Sequence, residues 1–275
     1  LRAVGHGWTL GRWAKPNADA PTALRGAARR LHWYAAAFAF VADVAMLSLG
    51  GGLKRKEKLS ARLGDILSLL FIATAVIRKF DVEGQRADHS ALAQWAAEDC
   101  LYQAAQAFRG VLANFPHRAV AATLRLALFP LGLRQRPPSD QLGGTAARTI
   151  THPGEARDAL TESCFVPSDV SEPLGALEAA LVAAQACERI DAKIRAAEKR
   201  GQFAGDPRAN VRDLPQLALA QGVITVEEAN TLAARDALTE RVIQVDDFAF
   251  NMKPVAHDAQ DANANTDHHN LRQAA

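Results

Sequence analysis

The chain has 275 residues, 49% hydrophobic and 23% charged, with a net charge of +2 at pH 7. That length allows a substantial core in one or two domains, and the balance is that of an ordinary globular protein rather than a disordered one. The near-neutral total supplies no global field for nucleic acid. Cys100, Cys164 and Cys187 are odd in number, far apart and without a Cys-x-x-Cys pair. They fit reduced thiols in a cytoplasmic protein better than a disulfide framework. No signal-peptide pattern is visible, and the first residue is Leu1 rather than Met, as expected of a processed or truncated piece.

In chain order, residues 1–13 carry Gly5, Gly7 and Gly11 and predict at most a short or irregular helix, with a loop over 15–20. Pro21 or Thr22 opens a long helix. Arg25, Arg29 and Arg30 are expected to face solvent in its early turns. Its later turns, with Phe38, Phe40, Val41, Val44, Met46 and Leu47, are apolar nearly all round, which predicts burial on most sides. Gly50, Gly51 and Gly52 stop this helix, because glycine is costly inside a helix and cheap where φ is positive. A second long helix is expected from about Lys54, its buried face made by Leu59, Leu63, Ile66, Leu67, Leu70, Thr74 and Ile77. Stretches 33–49 and 66–77 are apolar, but a membrane span needs about 20 apolar residues. Two adjacent buried helices are the preferred reading.

Asp88 or Ser90 is the expected cap of the next helix, striped by Leu92, Trp95, Tyr102, Ala105, Phe108, Leu112 and Phe115 and ended by Pro116. A short helix over 118–128 precedes Pro130. Six prolines then break 130–173, which reads as a crossing segment with short helices near 141–150 and 155–163. Ser171, Glu172 and Pro173 start a helix striped by Leu177, Leu181, Ala184, Cys187, Ile190 and Ile194, and Gly201 ends it. Asn210 or Asp213 opens another, Gly222 ends it, and Thr225-Val226-Glu227-Glu228 is a capping box for a last helix to about Val245. After Met252 the chain has little to bury and is expected to be disordered. No stretch alternates with period two. The expected fold is all-α, a bundle-like array of eight or nine helices. Its expected regions are 1–129, the proline-rich crossing segment 130–172, C-terminal helices 173–250 and the tail 251–275.

No P-loop, Gly-x-Gly-x-x-Gly, Gly-x-Ser-x-Gly or His-Glu-x-x-His motif occurs. Glu83-Gly84 offers a carboxylate beside a close-approach residue, but a helix C-terminus explains the pair better. Residues 211–237 mimic a helix-turn-helix, yet Glu227, Glu228, Asp236 and Glu240 carry the wrong sign for a DNA groove. His257, Asp258, Asp261, Asp267, His268 and His269 have no scaffold to fix a metal, so no metal site is expected. Lys54, Arg55, Lys56 and Lys58 stand against Glu57 alone, beside three glycines. This basic elbow is the candidate contact for a phosphate-bearing ligand, a membrane surface or a partner, its plain alternative being a solvated first turn.

The stretch 49–68, Leu-Gly-Gly-Gly-Leu-Lys-Arg-Lys-Glu-Lys-Leu-Ser-Ala-Arg-Leu-Gly-Asp-Ile-Leu-Ser, closely resembles the C-terminal region of bacterial long-chain acyl-coenzyme A dehydrogenases of fatty-acid degradation. Asn114-Phe115-Pro116, Phe129-Pro130-Leu131-Gly132, Pro138-Ser139-Asp140 and Val245-Asp246-Asp247-Phe248 continue the resemblance in order. It implies a flavoenzyme. The intact protein is expected to use FAD to convert a long-chain acyl-CoA to its trans-2-enoyl-CoA in β-oxidation, a glutamate taking the α proton and the flavin the β hydride. Electrons then pass to an acceptor flavoprotein. The family's base lies upstream in a Glu-Gly-Ala-Asn-type segment with no match here, so no catalytic and no cofactor-binding residue is assigned to this chain. The resemblance makes it a helical extension of an upstream catalytic domain, expected to be inactive alone. The expected location is the cytoplasm, peripheral on the inner membrane. Related extensions of very-long-chain enzymes take part in membrane association, which marks the elbow and segment 130–172 as expected contacts. The rival reading is a free-standing, non-catalytic helical interaction or peripheral-membrane module.

Overall fold

The computed structural model describes residues 2–9, 11–12, 20–202 and 214–245. Among them are ten α-helices and no strand: α1 (Arg2–Trp8), α2 (Arg25–Leu49), α3 (Glu57–Val82), α4 (Ser90–Ala113), α5 (Arg118–Leu128), α6 (Asp140–Thr151), α7 (Glu155–Thr161), α8 (Pro173–Lys199), α9 (Leu214–Ala220) and α10 (Val226–Ile243). The all-α expectation holds. The chain divides into two compact units, Leu1–Ser163 and Cys164–Ala275.

In the first unit α4 is the hub, packing against α3, α6, α2 and α5. Small residues make this possible: Ala93, Ala97, Ala104 and Ala105 are all buried and let neighbouring backbones approach. Phe108 is fully buried between Tyr34 of α2 and Phe129 just beyond α5, with ring centroids 5.7 and 5.3 Å away. Trp33 completes the cluster, 5.7 Å from Phe129. Such tilted aromatic contacts add to the free energy of burial itself. Just before α4, buried His89 donates from Nε2 to the Ala156 carbonyl at 2.8 Å, which ties α7 into the unit.

In the second unit α10 packs on α8. Cys187, Ile194, Ala218, Ile224 and Leu232 form its small core. Arg235 to Asp191 at 2.7 Å and Lys193 to Glu228 at 3.0 Å bridge the same two helices. The Thr225 capping box is present in full, Pro173 stands at the start of α8, and Gly201 and Gly222 both adopt φ of 67° where their helices stop.

Several expectations need correction. Helix α2 is not buried on most sides: Trp33, Tyr34, Ala37, Val41 and Ala45 are buried, whereas Met46 and Leu47 are exposed. The cause is simple, since the helices of this unit cover only one of its faces. On α3 the buried stripe is Leu59, Leu63, Ile66, Leu70, Ala73 and Phe80, while Leu67 and Thr74 are exposed. That stripe keeps to i, i+4, i+7, i+11, and Leu67 falls one step off it. Helix α3 starts at Glu57 rather than Lys54, because a 3-10 turn from Gly50 to Arg55 intervenes. Neither Asp88 nor Ser90 caps α4; a 3-10 turn leads in and His89 takes the capping position without a side-chain bond. Arg30 does not simply face solvent but approaches Glu98 at 3.5 Å. On α8, Leu177 and Ala184 are exposed, and Ala176 and Ala180 hold the buried places. The expected openings at Asn210 and Asp213 and the tail after Met252 lie outside the described residues.

Candidate functional site

The elbow forms because α2 has to end. Gly50 takes φ of 52° and breaks the helix, and Gly51 and Gly52 carry the chain round a tight turn. The turn is then pinned from α3: Ser60 Oγ donates to the Leu53 carbonyl at 3.0 Å, and the Lys56 N–H donates to the same oxygen at 3.0 Å. Lys56 is the N-cap of α3 and makes no side-chain capping bond. Lysines and arginines therefore crowd the positive end of a 26-residue helix, the reverse of the usual preference for acids there.

Lys54, Arg55, Lys56 and Lys58 are all exposed. Arg55, Lys56 and Lys58 face a hollow of about 530 Å³ between the start of α3 and the α4–α5 turn, whereas Lys54 lies off its wall. Arg62, one turn beyond Lys58 on the same face, and Asn114 from the α4–α5 turn also line it. Those last two residues escaped sequence reasoning. The i+4 spacing of Lys58 and Arg62 was a usable signal; the approach of Asn114 was not, because it depends on how α4 packs on α3.

Beside this charge lies an apolar surface. The α2 and α3 segments Thr22–Arg55 and Glu57–Val82 are each long and apolar enough to cross a membrane by length and composition, each holding an 18-residue window with a mean hydropathy of 1.7. Only 17% and 22% of their apolar windows are buried. Phe71 is 72% exposed and Leu67 55%, and with Phe38 and Leu31 they edge a groove of about 440 Å³ between the two helices. This contradicts the expectation of two adjacent buried helices and leaves a large apolar face on the first unit.

The other candidates resolve into structure. Glu83 caps the C-terminal end of α3, Gly84 follows with φ of 78°, and Glu83 pairs with Lys79. The hydrogen bond from Lys79, helped by the charge of His89, holds the Glu83 carboxyl below the usual carboxylate range. A carboxylate held that low makes a poor proton acceptor. Burial pushes the Cys100 and Cys187 thiols up, away from the thiolate form. All three cysteines are free. Among the described residues no cluster of three metal-ligating side chains occurs. The histidines and aspartates of 257–269 lie outside the described residues. Helices α9 and α10 do form a hairpin, with Glu227 and Glu228 in the first turn of α10.

A flavin does not fit the hollow at the elbow. The hollow at the elbow is walled by lysines and arginines with only Leu59 and Pro116 as apolar neighbours, and it offers no face for a planar ring system. No glycine-rich loop feeds a helix from a strand among the described residues.

The family model described as acyl-CoA dehydrogenase, C-terminal, bacterial type, matches residues 1–248. No solved structure matches the chain. The resemblance read from 49–68 and the later short motifs thus extends over every helix described above. The chain belongs to the family of bacterial-type C-terminal domains of acyl-CoA dehydrogenases, which are oxidoreductases as intact proteins.

Proposed function

We propose that this chain is the C-terminal helical part of an FAD-dependent dehydrogenase that converts long-chain acyl-CoA to trans-2-enoyl-CoA in fatty-acid β-oxidation and passes its electrons to an acceptor flavoprotein. The observation that carries the reading is the family match over 1–248, joined to an all-helical body in which carboxylates such as Glu83 and Glu228 serve caps and ion pairs. The catalytic base and the FAD site belong to the upstream catalytic domain. This part contributes surfaces. The apolar face of α2 and α3 is the seat of that upstream domain, since Phe71, Leu67 and Met46 remain exposed without it. The basic elbow of Lys54, Arg55, Lys56 and Lys58 meets an anionic membrane surface, which makes the enzyme cytoplasmic and peripheral on the inner membrane.

Visible absorption tests the division of labour. The full-length protein is expected to carry flavin that bleaches on adding a long-chain acyl-CoA, and the 275-residue chain is expected to carry none. Flavin that bleaches in the chain alone overturns the assignment of the chemistry to the upstream domain. A full-length protein without flavin favours the non-catalytic module. Unchanged binding to anionic liposomes after all four elbow cations are made Ser removes the elbow from membrane contact.

A further inference from the structure

The elbow is concave as well as charged. Its hollow of about 530 Å³ is within the size range of small-molecule sites, and three segments line it. Arg55 comes from the 3-10 turn, Lys56, Lys58 and Arg62 from the start of α3, and Asn114 from the α4–α5 turn. Glu57 is the one carboxylate on the wall. Among the described residues no ion pair joins any of these cations to a carboxylate, although Arg and Lys elsewhere in the chain pair readily.

Arg62 is the telling residue. Its stem is half-buried, and its guanidinium reaches only the Lys58 carbonyl, at 3.5 Å in an exposed contact. A guanidinium with no carboxylate partner keeps its forked N–H donors open to an anionic acceptor. The fold also makes room for it in this position. A Cβ on Gly110 of α4 would stand 2.8 Å from Arg62 Nε and 2.9 Å from its Cδ, so an added methyl would move this flexible side chain from its seat against α4. Asn114 Nδ2 donates one hydrogen to the Gly110 carbonyl at 2.8 Å and keeps a second. The uncapped N–H groups at the start of α3 add a fixed positive end to the same place.

We infer that this hollow binds a phosphate ester, with Arg62 and Arg55 as forked donors and Lys56 and Lys58 as neutralising charges. An anion there offsets the mutual repulsion of four cations at a positive helix end, against which the wall itself sets only Glu57. The inference deepens the reading of the elbow as a contact for an anionic surface and rests on it. Two sources carry the same chemistry: the phosphates of a soluble nucleotide ester and the headgroup phosphate of a lipid.

The test is calorimetric titration of the full-length protein with inorganic pyrophosphate, beside Arg62→Gln, Gly110→Ala and Lys54→Ser. Lys54 is the control, equally charged and in the same elbow but off the wall. Arg62→Gln and Gly110→Ala are expected to weaken the interaction about tenfold or more, and Lys54→Ser less than about twofold. Gly110→Ala removes no charge and adds a better helix former, so its effect reports the seating of Arg62 rather than the fold. Equal binding by all four proteins, or an equal loss in Lys54→Ser, overturns the proposal. Two further arms identify the source: adenosine 3′,5′-bisphosphate, and phosphatidylcholine vesicles with and without phosphatidic acid. Binding that Arg62→Gln abolishes in one arm names that source, and insensitivity in both arms overturns the site. If pyrophosphate fails while vesicle binding still depends on the four lysines and arginines of 54–58, the phosphate site is overturned and the contact surface alone stands.

Discussion

Helix α4 and the hairpin of α2 and α3 are built from helices of similar length, but they stand in opposite relations to water. Along α4, turn after turn meets a neighbour: α3 on one side, α6, α2 and α5 on others. The hairpin helices are apolar enough to span a membrane by length and composition, yet only 17% and 22% of their apolar windows are buried. The difference teaches that hydropathy records what a helix requires, whereas burial records what its surroundings provide. Helix α4 finds its cover within this unit; α2 and α3 find only part of theirs.

The largest test of that contrast is Phe108→Ala against Phe71→Ala. Phe108 is fully buried among aromatic rings, and truncating it is expected to cost about 3–5 kcal/mol in urea unfolding of the chain. Phe71 is 72% exposed, and its truncation is expected to change the same measurement by less than about 0.5 kcal/mol. In the full-length protein the Phe71 variant should become clearly destabilising if the upstream domain covers the hairpin. Equal, small effects of that variant in both forms would break the comparison and leave the face uncovered.

Tyr34, on the covered side of α2, gives a pH-dependent version. Burial pushes its hydroxyl up to about 12, against the favourable charges of Arg30 and Arg109. The folded state therefore holds the proton more tightly than the unfolded chain. The resulting stability is complete below about pH 10, the ordinary tyrosine value, and is lost as pH rises toward 12. The loss is expected to be about 2–3 kcal/mol across that interval, and Tyr34→Phe should flatten it. An identical alkaline slope in the variant would assign the effect to other groups.

Two glycines sharpen the contrast at about 0.5–3 kcal/mol. A Cβ at Gly7 would stand 2.2 Å from the Leu128 carbonyl, so Gly7→Ala is expected to lower stability by about 1–3 kcal/mol as α1 is pushed off α5. Gly64 lies inside α3, where an added methyl would meet nothing within 4 Å, and Gly64→Ala is expected to raise stability by about 0.5–1 kcal/mol in the chain. A reversal of that sign in the full-length protein would mark close approach of the covering domain at this spot. Smallest is Asp88, whose carboxyl the Arg86 hydrogen bond holds down at about 2. Its contribution is present above the ordinary carboxylate range and fades as pH falls toward 2, so Asp88→Asn should slightly shallow the acid limb of a thermal-melt series.

Much of this architecture was legible because local chemistry decides it. Pro173, Gly201, Gly222 and the Thr225–Glu228 pair act within one helical turn, and each does what its residue type dictates. The glycine run ends α2, but the number of residues in the turn was not readable, and α3 starts at Glu57 rather than Lys54. Leu67 and Leu177 sit at stripe edges, where burial depends on which neighbour comes near rather than on period. The exposure of α2 has the same cause at larger scale. At the elbow the cations are plain from their spacing, while Arg62 and Asn114 join them only through the packing of α3 on α4.

The position of α4 also sets an order of events during synthesis. The inner face of the hairpin is complete once Val82 has been made, but its cover runs from Ser90 to Ala113. At ordinary rates of translation that interval lasts a few seconds. On the proposal of an upstream domain as the seat for the outer face, that seat is already folded when the hairpin emerges. The newborn hairpin then has one side to dock at once and one side to keep out of trouble briefly, and the shortness of the wait is its protection against clumping with other nascent chains.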